Sequence, residues 1–202
     1  MNNFGFAPLE LRQLRSLRTP LLIQRHLEAL PYHHANTAWS PRRVLKEGTA
    51  HCLEGAIFAA AALRVNGYEP LLLDFEAVRD TDHVLALYRV NGGWGAIGKS
   101  NFAFLRFRDP VYRSLRELAM SYFDGYCNLR GERTLRAFSR PINLKRFDHL
   151  QWMTTEKPVW FIPEHLCHVR HTSLLSREQE KALTRLDARS FHAGLTGHSP
   201  KQ

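Results

Sequence analysis

The chain contains little cysteine and no long apolar run. Its three cysteines, at positions 52, 127 and 167, are odd in number, widely spaced and without a CxxC pair. This pattern argues against a disulfide framework and predicts a reducing, cytoplasmic location. The longest uncharged apolar run, Gly55 to Leu63, has nine residues, whereas a membrane-spanning helix needs roughly 20. The amino terminus also lacks a continuous apolar signal core. We therefore expect neither membrane insertion nor secretion.

The composition is that of an ordinary globular protein. Of 202 residues, 44% are hydrophobic, 23% charged and 11% aromatic, so the chain can bury a core, and neither the disordered nor the collagen-like class fits. A chain of this length has room for one core of normal size. We expect a single compact domain.

Acidic side chains are in the minority. The chain has 28 basic and 19 acidic residues and a net charge of +9, which by itself would favour nucleic-acid binding. The excess is uneven, however: residues 1–47 carry +4, residues 48–109 carry −1 and residues 110–202 carry +6. The nearly neutral middle contains the candidate catalytic residues. We therefore assign the excess positive charge to the protein surface that flanks them. We predict that nucleic acid is not the partner.

Periodicity and capping signals predict an α+β fold. The segment from Leu53 to Val65 is rich in alanine and leucine and ends at Asn66-Gly67, so it predicts a buried helix. The dipeptide Asn91-Gly92 predicts a hairpin between two strands. Other predicted helices are Glu10 to Leu17, Leu21 to Leu30, a short one from Ser40-Pro41, Asp109 to about Asn128, and Ser176 to Arg189. Predicted strands are Tyr68 to Phe75, Asp82 to Val90, Trp94 to Lys99 and a segment within Pro158 to Pro163.

Cys52 and His83 are the candidate chemical groups. With Thr49 as the helix cap, Cys52 lies in the first turn of the buried helix, where free amide N–H groups and the helix dipole stabilise a thiolate. His83 begins the second of the three strands that follow. A neighbouring imidazole can lower the thiol pKa and act as base and acid. This pairing is the basis of cysteine acyl-transfer chemistry.

Four segments in this order carry a family resemblance, and they are Gly48-Thr49-Ala50-His51-Cys52-Leu53-Glu54-Gly55-Ala56, Ala62-Leu63-Arg64-Val65-Asn66-Gly67-Tyr68, Asp82-His83-Val84 and Gly92-Gly93-Trp94-Gly95-Ala96-Ile97. Over residues 41–101 the chain resembles the transglutaminase-like superfamily. The resemblance implies a papain-like core, with the cysteine-bearing helix packed on an antiparallel sheet. It also implies Cys52 as nucleophile and His83 as its partner. We accordingly expect one such domain over residues 1–192, with a core at 41–128, an extension at 129–192 and a flexible tail at 193–202.

The third catalytic position departs from the resemblance. The family has an aspartate after the tryptophan of the third strand, and this chain has Gly98 there. A two-residue turn at Asn91-Gly92 places His83 opposite Ser100, beside Asn101. Because papain-like proteases use asparagine to orient the histidine, Asn101 is our predicted third catalytic residue. The alternatives are Ser100, Asp109 and Asp82. For the second oxyanion donor, the candidates upstream of the nucleophile are Trp39 and Tyr32.

The remaining metal-ligating residue types do not form a motif. The segment from Glu164 to His171 contains three histidines and Cys167, but its spacing fits no compact zinc pattern. We predict solvated surface there, packing for Cys127, and no metal or organic cofactor. The expected function is thiol-dependent cleavage or acyl transfer at an amide bond of a peptide or protein, with cleavage favoured over crosslinking. The alternative is a non-catalytic binding module of the same fold.

Overall fold

A computed structural model describes residues 3–198. The α-helices are α1 (Pro8–Ser16), α2 (Pro20–Ala29), α3 (Pro41–Glu47), α4 (Cys52–Val65), α5 (Leu115–Phe123), α6 (Phe161–His168), α7 (Arg177–Lys181) and α8 (Ala188–Gly194). Short 3₁₀ helices span Ala103–Leu105 and Leu144–Leu150. The strands are β1 (Leu71–Ala77), β2 (His83–Val90), β3 (Gly93–Ile97), β4 (Arg108–Tyr112), β5 (Leu135–Ser139), β6 (Ile142–Asn143) and β7 (His171–Ser173). The fold is therefore α+β, as predicted.

The strands form one antiparallel sheet. Its order is β4-β3-β2-β1-β5-β7, with β6 pairing the other end of β1. At the centre, Val90 pairs with Gly93 across a two-residue turn, where Asn91 and Gly92 have φ values of 50° and 83°. Positive φ at both turn residues matches the right-handed twist of the strands. The predicted hairpin and its register are confirmed.

Helix α4 lies on one face of the sheet. Residues Ala56 to Leu63 on it are all fully buried, and they share a core with Leu72, Val84 and Ile97 from the sheet. On the opposite face, Leu73 and Leu85 pack against Leu118 and Tyr122 of α5. Because side chains alternate along a strand, the two cores use alternate residues. The sheet is thus covered on both faces, and the predicted packing of the cysteine helix on an antiparallel sheet is confirmed.

The cap of α4 differs from the prediction. His51 is the N-cap and Cys52 is the first helical residue. Thr49 instead donates its hydroxyl to the carbonyl of Pro31 at 2.9 Å. The N–H of His51 donates to the Glu54 carboxylate at 3.3 Å, which supports the helix start from the third position. The nucleophile candidate therefore lies closer to the helix terminus than expected.

The predicted helix from Asp109 to Asn128 is wrong at both ends, since α5 spans only Leu115–Phe123. Arg108–Tyr112 is the edge strand β4, where the missing N–H of Pro110 is tolerated. The helix that follows begins only at Leu115, because the Ser114 hydroxyl accepts from the N–H of Glu117 and caps it there. Val111, predicted to face the core, is 68% exposed.

The carboxyl-terminal third also differs. The strand predicted within Pro158 to Pro163 is replaced by α6, whose first turn accommodates Pro163. The predicted helix from Ser176 to Arg189 is two helices, and the segment between them is held by a 2.8 Å hydrogen bond from the N–H of Leu186 to the carbonyl of Gly131. Part of the predicted tail is ordered: α8 ends at Gly194, and the ring of His198 contacts Phe102 at 5.4 Å. Residues 199–202 lie outside the described residues.

Within residues 3–198, no helix combines the length and apolar character needed to cross a membrane.

Candidate active site

A cavity of about 600 Å³ lies where α4 begins and β2 begins. Cys52 and His83 both line it, together with Asn101 and Tyr32. Leu105, Phe102, Tyr126 and Leu129 give it an apolar wall, and three histidines, His33, His34 and His51, form another. The structure therefore brings the three predicted catalytic residues to one site.

A second cavity, of about 410 Å³, lies between Arg42 and Arg64. Each guanidinium is already paired, Arg42 with Glu10 at 2.9 Å and Arg64 with Asp148. No cysteine or histidine lines this cavity, and its two arginines are used in ion pairs within the fold.

Several polar groups act on the Cys52 thiol at the helix terminus. Burial raises the pKa of this thiol, and interactions with the backbone of Leu53 and Val84 and with the Tyr32 side chain oppose that rise. Val84 directly follows His83 on β2, so the sulfur lies against the strand that carries the histidine. The sequence predicted a lowered thiol pKa from the helix start and the imidazole. In the structure, burial is the larger effect and reverses that direction.

His83 is buried, with 4% of its surface exposed. Its Nε2 atom lies 3.0 Å from the main-chain carbonyl oxygen of Leu105. A carbonyl oxygen only accepts hydrogen bonds, so Nε2 carries the proton and Nδ1 of the neutral ring carries the lone pair. Burial lowers the pKa of His83 to about 4, and the bond to Leu105 opposes this shift. At neutral pH both the imidazole and the thiol are therefore uncharged.

The position of the missing aspartate has no room for a side chain. A Cβ atom on Gly98 would lie 2.6 Å from Cδ2 of Leu85 and 2.9 Å from the carbonyl oxygen of Leu105. Such distances are too short for ordinary packing. The backbone of Gly98 is used instead by Gln24, whose side chain bonds its N–H at 3.1 Å and its carbonyl at 3.0 Å.

The predicted third residue, Asn101, lies in the cavity wall. The hydrogen bond to Nε2 of His83 is made by Leu105, and the orienting role of Asn101 stays a prediction. Of the alternatives, Ser100 is buried and accepts from the N–H of Phe102 at 3.0 Å, and Asp82 accepts from the N–H of Ala77 at 2.8 Å. The carbonyl of Leu105 was missed in the sequence because every residue has a carbonyl and only the fold decides where it points.

Tyr32 and Trp39 are separated by the structure. Tyr32 lines the cavity beside Cys52 and interacts with it electrostatically, and burial raises the pKa of this phenol above its ordinary value. Trp39 is buried, where it stacks on His33 at 4.3 Å. Of the two candidate oxyanion donors, Tyr32 lines the cavity with Cys52 and Trp39 does not.

A fully buried carboxylate, Glu54, supports the histidine wall of the cavity. It accepts from the Thr37 hydroxyl at 2.6 Å and from the N–H of Trp39 at 3.1 Å. Its other oxygen lies 3.2 Å from Nδ1 of His33 and 3.3 Å from the N–H of His51. One carboxylate thus fixes the loop that faces Cys52. Within the described residues, no group of three or more histidine, cysteine or acidic side chains is placed to hold a metal ion.

Comparison with known proteins gives no relative from which to transfer a role: no family model and no curated protein matches the chain.

Proposed function

We propose that the chain is a transglutaminase-like, papain-like cysteine enzyme that cleaves or transfers an acyl group at an amide bond of a peptide or protein. The observation that carries this proposal is the cavity shared by Cys52 and His83, together with the bond of Leu105 to Nε2, which leaves Nδ1 of His83 as the basic nitrogen. All three cysteines are free thiols, which suits the reducing, cytoplasmic location that we also propose.

In the proposed reaction, proton transfer accompanies attack. Because thiol and imidazole are both neutral at rest, Nδ1 of His83 takes the proton from Sγ of Cys52 as the sulfur bonds to the carbonyl carbon. The imidazolium then returns that proton to the leaving amine, and the C–N bond breaks to leave a thioester on Cys52. Water attacks the thioester with His83 again as base, releasing the acid and the thiol. An amine in place of water would give transfer.

The negative oxygen of the intermediate needs donors beside Cys52. The N–H of Cys52 is the first, as expected for a residue at a helix start. We assign the second to the Tyr32 hydroxyl, because Tyr32 lines the cavity beside Cys52 and interacts with it. Removing one such donor typically costs about 10²–10³ in rate.

The alternative is a binding module that holds a peptide or protein in this cavity without reacting. The raised pKa of Cys52 and the lowered pKa of His83 favour it, because a preformed thiolate–imidazolium pair is absent at rest. The apolar wall and the histidine wall would bind an extended peptide equally well in an enzyme and in a binding module.

The deciding experiment is alkylation of the native protein by iodoacetamide across pH, with each cysteine read by peptide mass analysis. Cys167, which is exposed and does not line the cavity, serves as the internal reference, whereas Cys127 lines the cavity and is not used as one. For an enzyme, we expect His83→Ala to slow alkylation of Cys52 at least about tenfold, since the base is lost, with the rate at Cys167 unchanged. Equal rates at Cys52 in wild type and His83→Ala would support the binding module.

A further inference from the structure

We propose that Tyr122 and Arg108 are positioning residues that hold the Leu105 carbonyl against His83, so that a main-chain oxygen replaces the carboxylate of the usual triad. The consequence for catalysis rests on the proposed function, whereas the contacts around Leu105 do not depend on it. Tyr122 and Arg108 themselves do not line the cavity.

The carbonyls on both sides of Leu105 are fixed by side chains. The carbonyl of Phe104 accepts from Nη2 of Arg108 at 2.9 Å. The carbonyl of Arg106 accepts from the Tyr122 hydroxyl at 2.7 Å. A peptide unit can rotate only if its neighbours adjust, so pinning both neighbours restricts the direction of the Leu105 carbonyl.

Both positioning residues are anchored to the same rigid element. Tyr122 belongs to α5 and is fully buried. Arg108 donates to the hydroxyl and the carbonyl of Ser121, also on α5, at 3.1 and 3.0 Å. Its guanidinium carbon lies 3.9 Å from the centre of the Tyr122 ring. The two groups therefore form one unit that connects α5 to the residues around Leu105.

The guanidinium of Arg108 is used to bind the backbone near Leu105 and α5. Within the described residues its donors go to main-chain carbonyls and to Ser121, and no carboxylate lies within ion-pair distance. An arginine fork that binds several carbonyls at once fixes their geometry better than a point charge would. The arrangement explains how Nε2 of His83 is oriented although Gly98 leaves no room for an acid.

The expected effect is on the tautomer of His83. A neutral acceptor at Nε2 keeps the proton there and leaves Nδ1 as the base. When that acceptor is free to turn away, the proton can also reside on Nδ1, where it blocks acceptance of the thiol proton. The third residue of a triad contributes mainly by fixing this tautomer.

The test compares Tyr122→Phe with Tyr88→Phe. Tyr88 is a matched control because its hydroxyl donates to a neighbouring main-chain carbonyl, that of Arg108, at 2.9 Å. Two readouts are used: the ¹⁵N NMR shifts of the His83 ring, which report the tautomer, and the pH profile of Cys52 alkylation. We expect Tyr122→Phe to mix the tautomers and slow alkylation about tenfold, the value of one hydrogen bond. Tyr88→Phe should leave both unchanged.

Arg108→Lys is the second variant. It keeps the charge but loses the fork, and it should shift the tautomer in the same direction even if Tyr122→Phe does not fold. The inference is overturned if the folded variant leaves the Nε2–H tautomer intact. It is also overturned if Asn101→Ala shifts the tautomer and the Tyr122 and Arg108 variants do not. If the tautomer shifts as expected but Cys52 alkylation is independent of His83, the positioning stands and the proposed enzyme function fails.

Discussion

A Cβ atom on Gly98 would lie 3.2 Å from Nε2 of His83. The resemblance implies an aspartate at this position beside the histidine, and the lack of a side chain on Gly98 lets the Leu105 carbonyl reach Nε2 at 3.0 Å. The two arrangements exclude each other, because the same space cannot hold both an aspartate and this carbonyl. In the function that we propose, the Leu105 carbonyl takes the place of the aspartate that Gly98 lacks.

It follows that Gly98→Asp does not restore a triad. We expect it to destabilise the fold by about 2–4 kcal/mol, since it crowds Leu85 and places a carboxylate in a buried position. Gly98→Ala should cost about 1–3 kcal/mol from crowding alone. Urea unfolding measures both losses. A Gly98→Asp protein of unchanged stability with faster Cys52 alkylation would contradict this prediction.

Stability should fall below neutral pH because of His83. Its pKa is lowered from 6.5 to about 4 by burial. Between these values the unfolded chain binds a proton at this residue and the folded protein does not, so the contribution is complete above pH 6.5 and is lost as pH falls towards 4. In urea unfolding from pH 7 to 4, the advantage of wild type over His83→Gln should shrink by up to about 3 kcal/mol. A constant difference would show that His83 titrates normally.

Asp74 should give the opposite slope. Burial raises the pKa of its carboxyl from 3.8 to about 6, although His171, whose Nε2 lies 3.1 Å away, opposes the shift. Between pH 3.8 and 6 the folded protein keeps a proton that the unfolded chain releases, so this contribution to stability decreases as pH rises. The free-energy difference between wild type and Asp74→Asn should therefore fall from pH 4 to 6. A rise over that interval would mean that pairing with His171 dominates burial.

The parts of the site that depend on local sequence could be predicted. Cys52 at a helix start, His83 at a strand start and the Asn91-Gly92 turn are each fixed by residues within a few positions. The thiol pKa could not be predicted, because burial depends on the packing of distant segments around Cys52. The role of Leu105 could not be predicted either, since a carbonyl has no sequence signal.

The elements after Arg108 were less predictable for a related reason. A proline is compatible both with the first turn of a helix and with an edge strand. The segment around Pro110 is a strand because it pairs with β3. The helix begins after Ser114, which caps it four residues beyond Pro110. The break before α8 depends on contacts of Leu186 with Gly131, far apart in the chain.

Glu54 should be critical for stability. In Glu54→Gln, the amide that replaces the second oxygen would face the N–H of His51, which now donates to Glu54 at 3.3 Å, so two donors would oppose each other. We expect a loss of about 2–4 kcal/mol in urea unfolding, because the site is fully buried. The exposed Glu117→Gln, which removes a charge that accepts from the N–H of Arg113, is the control and should cost less than about 1 kcal/mol. Equal losses would mean that the buried network adds little.

The cavity should prefer cationic reagents although the chain carries +9. Asp80 and Asp82 line it, no lysine or arginine does, and neither aspartate is in an ion pair within the described residues. At 0.15 M salt, charges farther than about 8 Å are largely screened, so the local aspartates outweigh the distant basic surface. Cys52 should therefore react faster with a methanethiosulfonate that carries a trimethylammonium group than with one that carries a sulfonate. Both rates are normalised to those of a small free thiol. Asp82→Asn should reduce this preference several-fold. At 0.01 M salt the screening length grows to about 30 Å. The preference should then weaken, because the basic surface contributes to the potential at Cys52. Faster reaction with the sulfonate at 0.15 M salt would contradict this prediction, because it would mean that the basic surface dominates the electrostatic potential in the cavity.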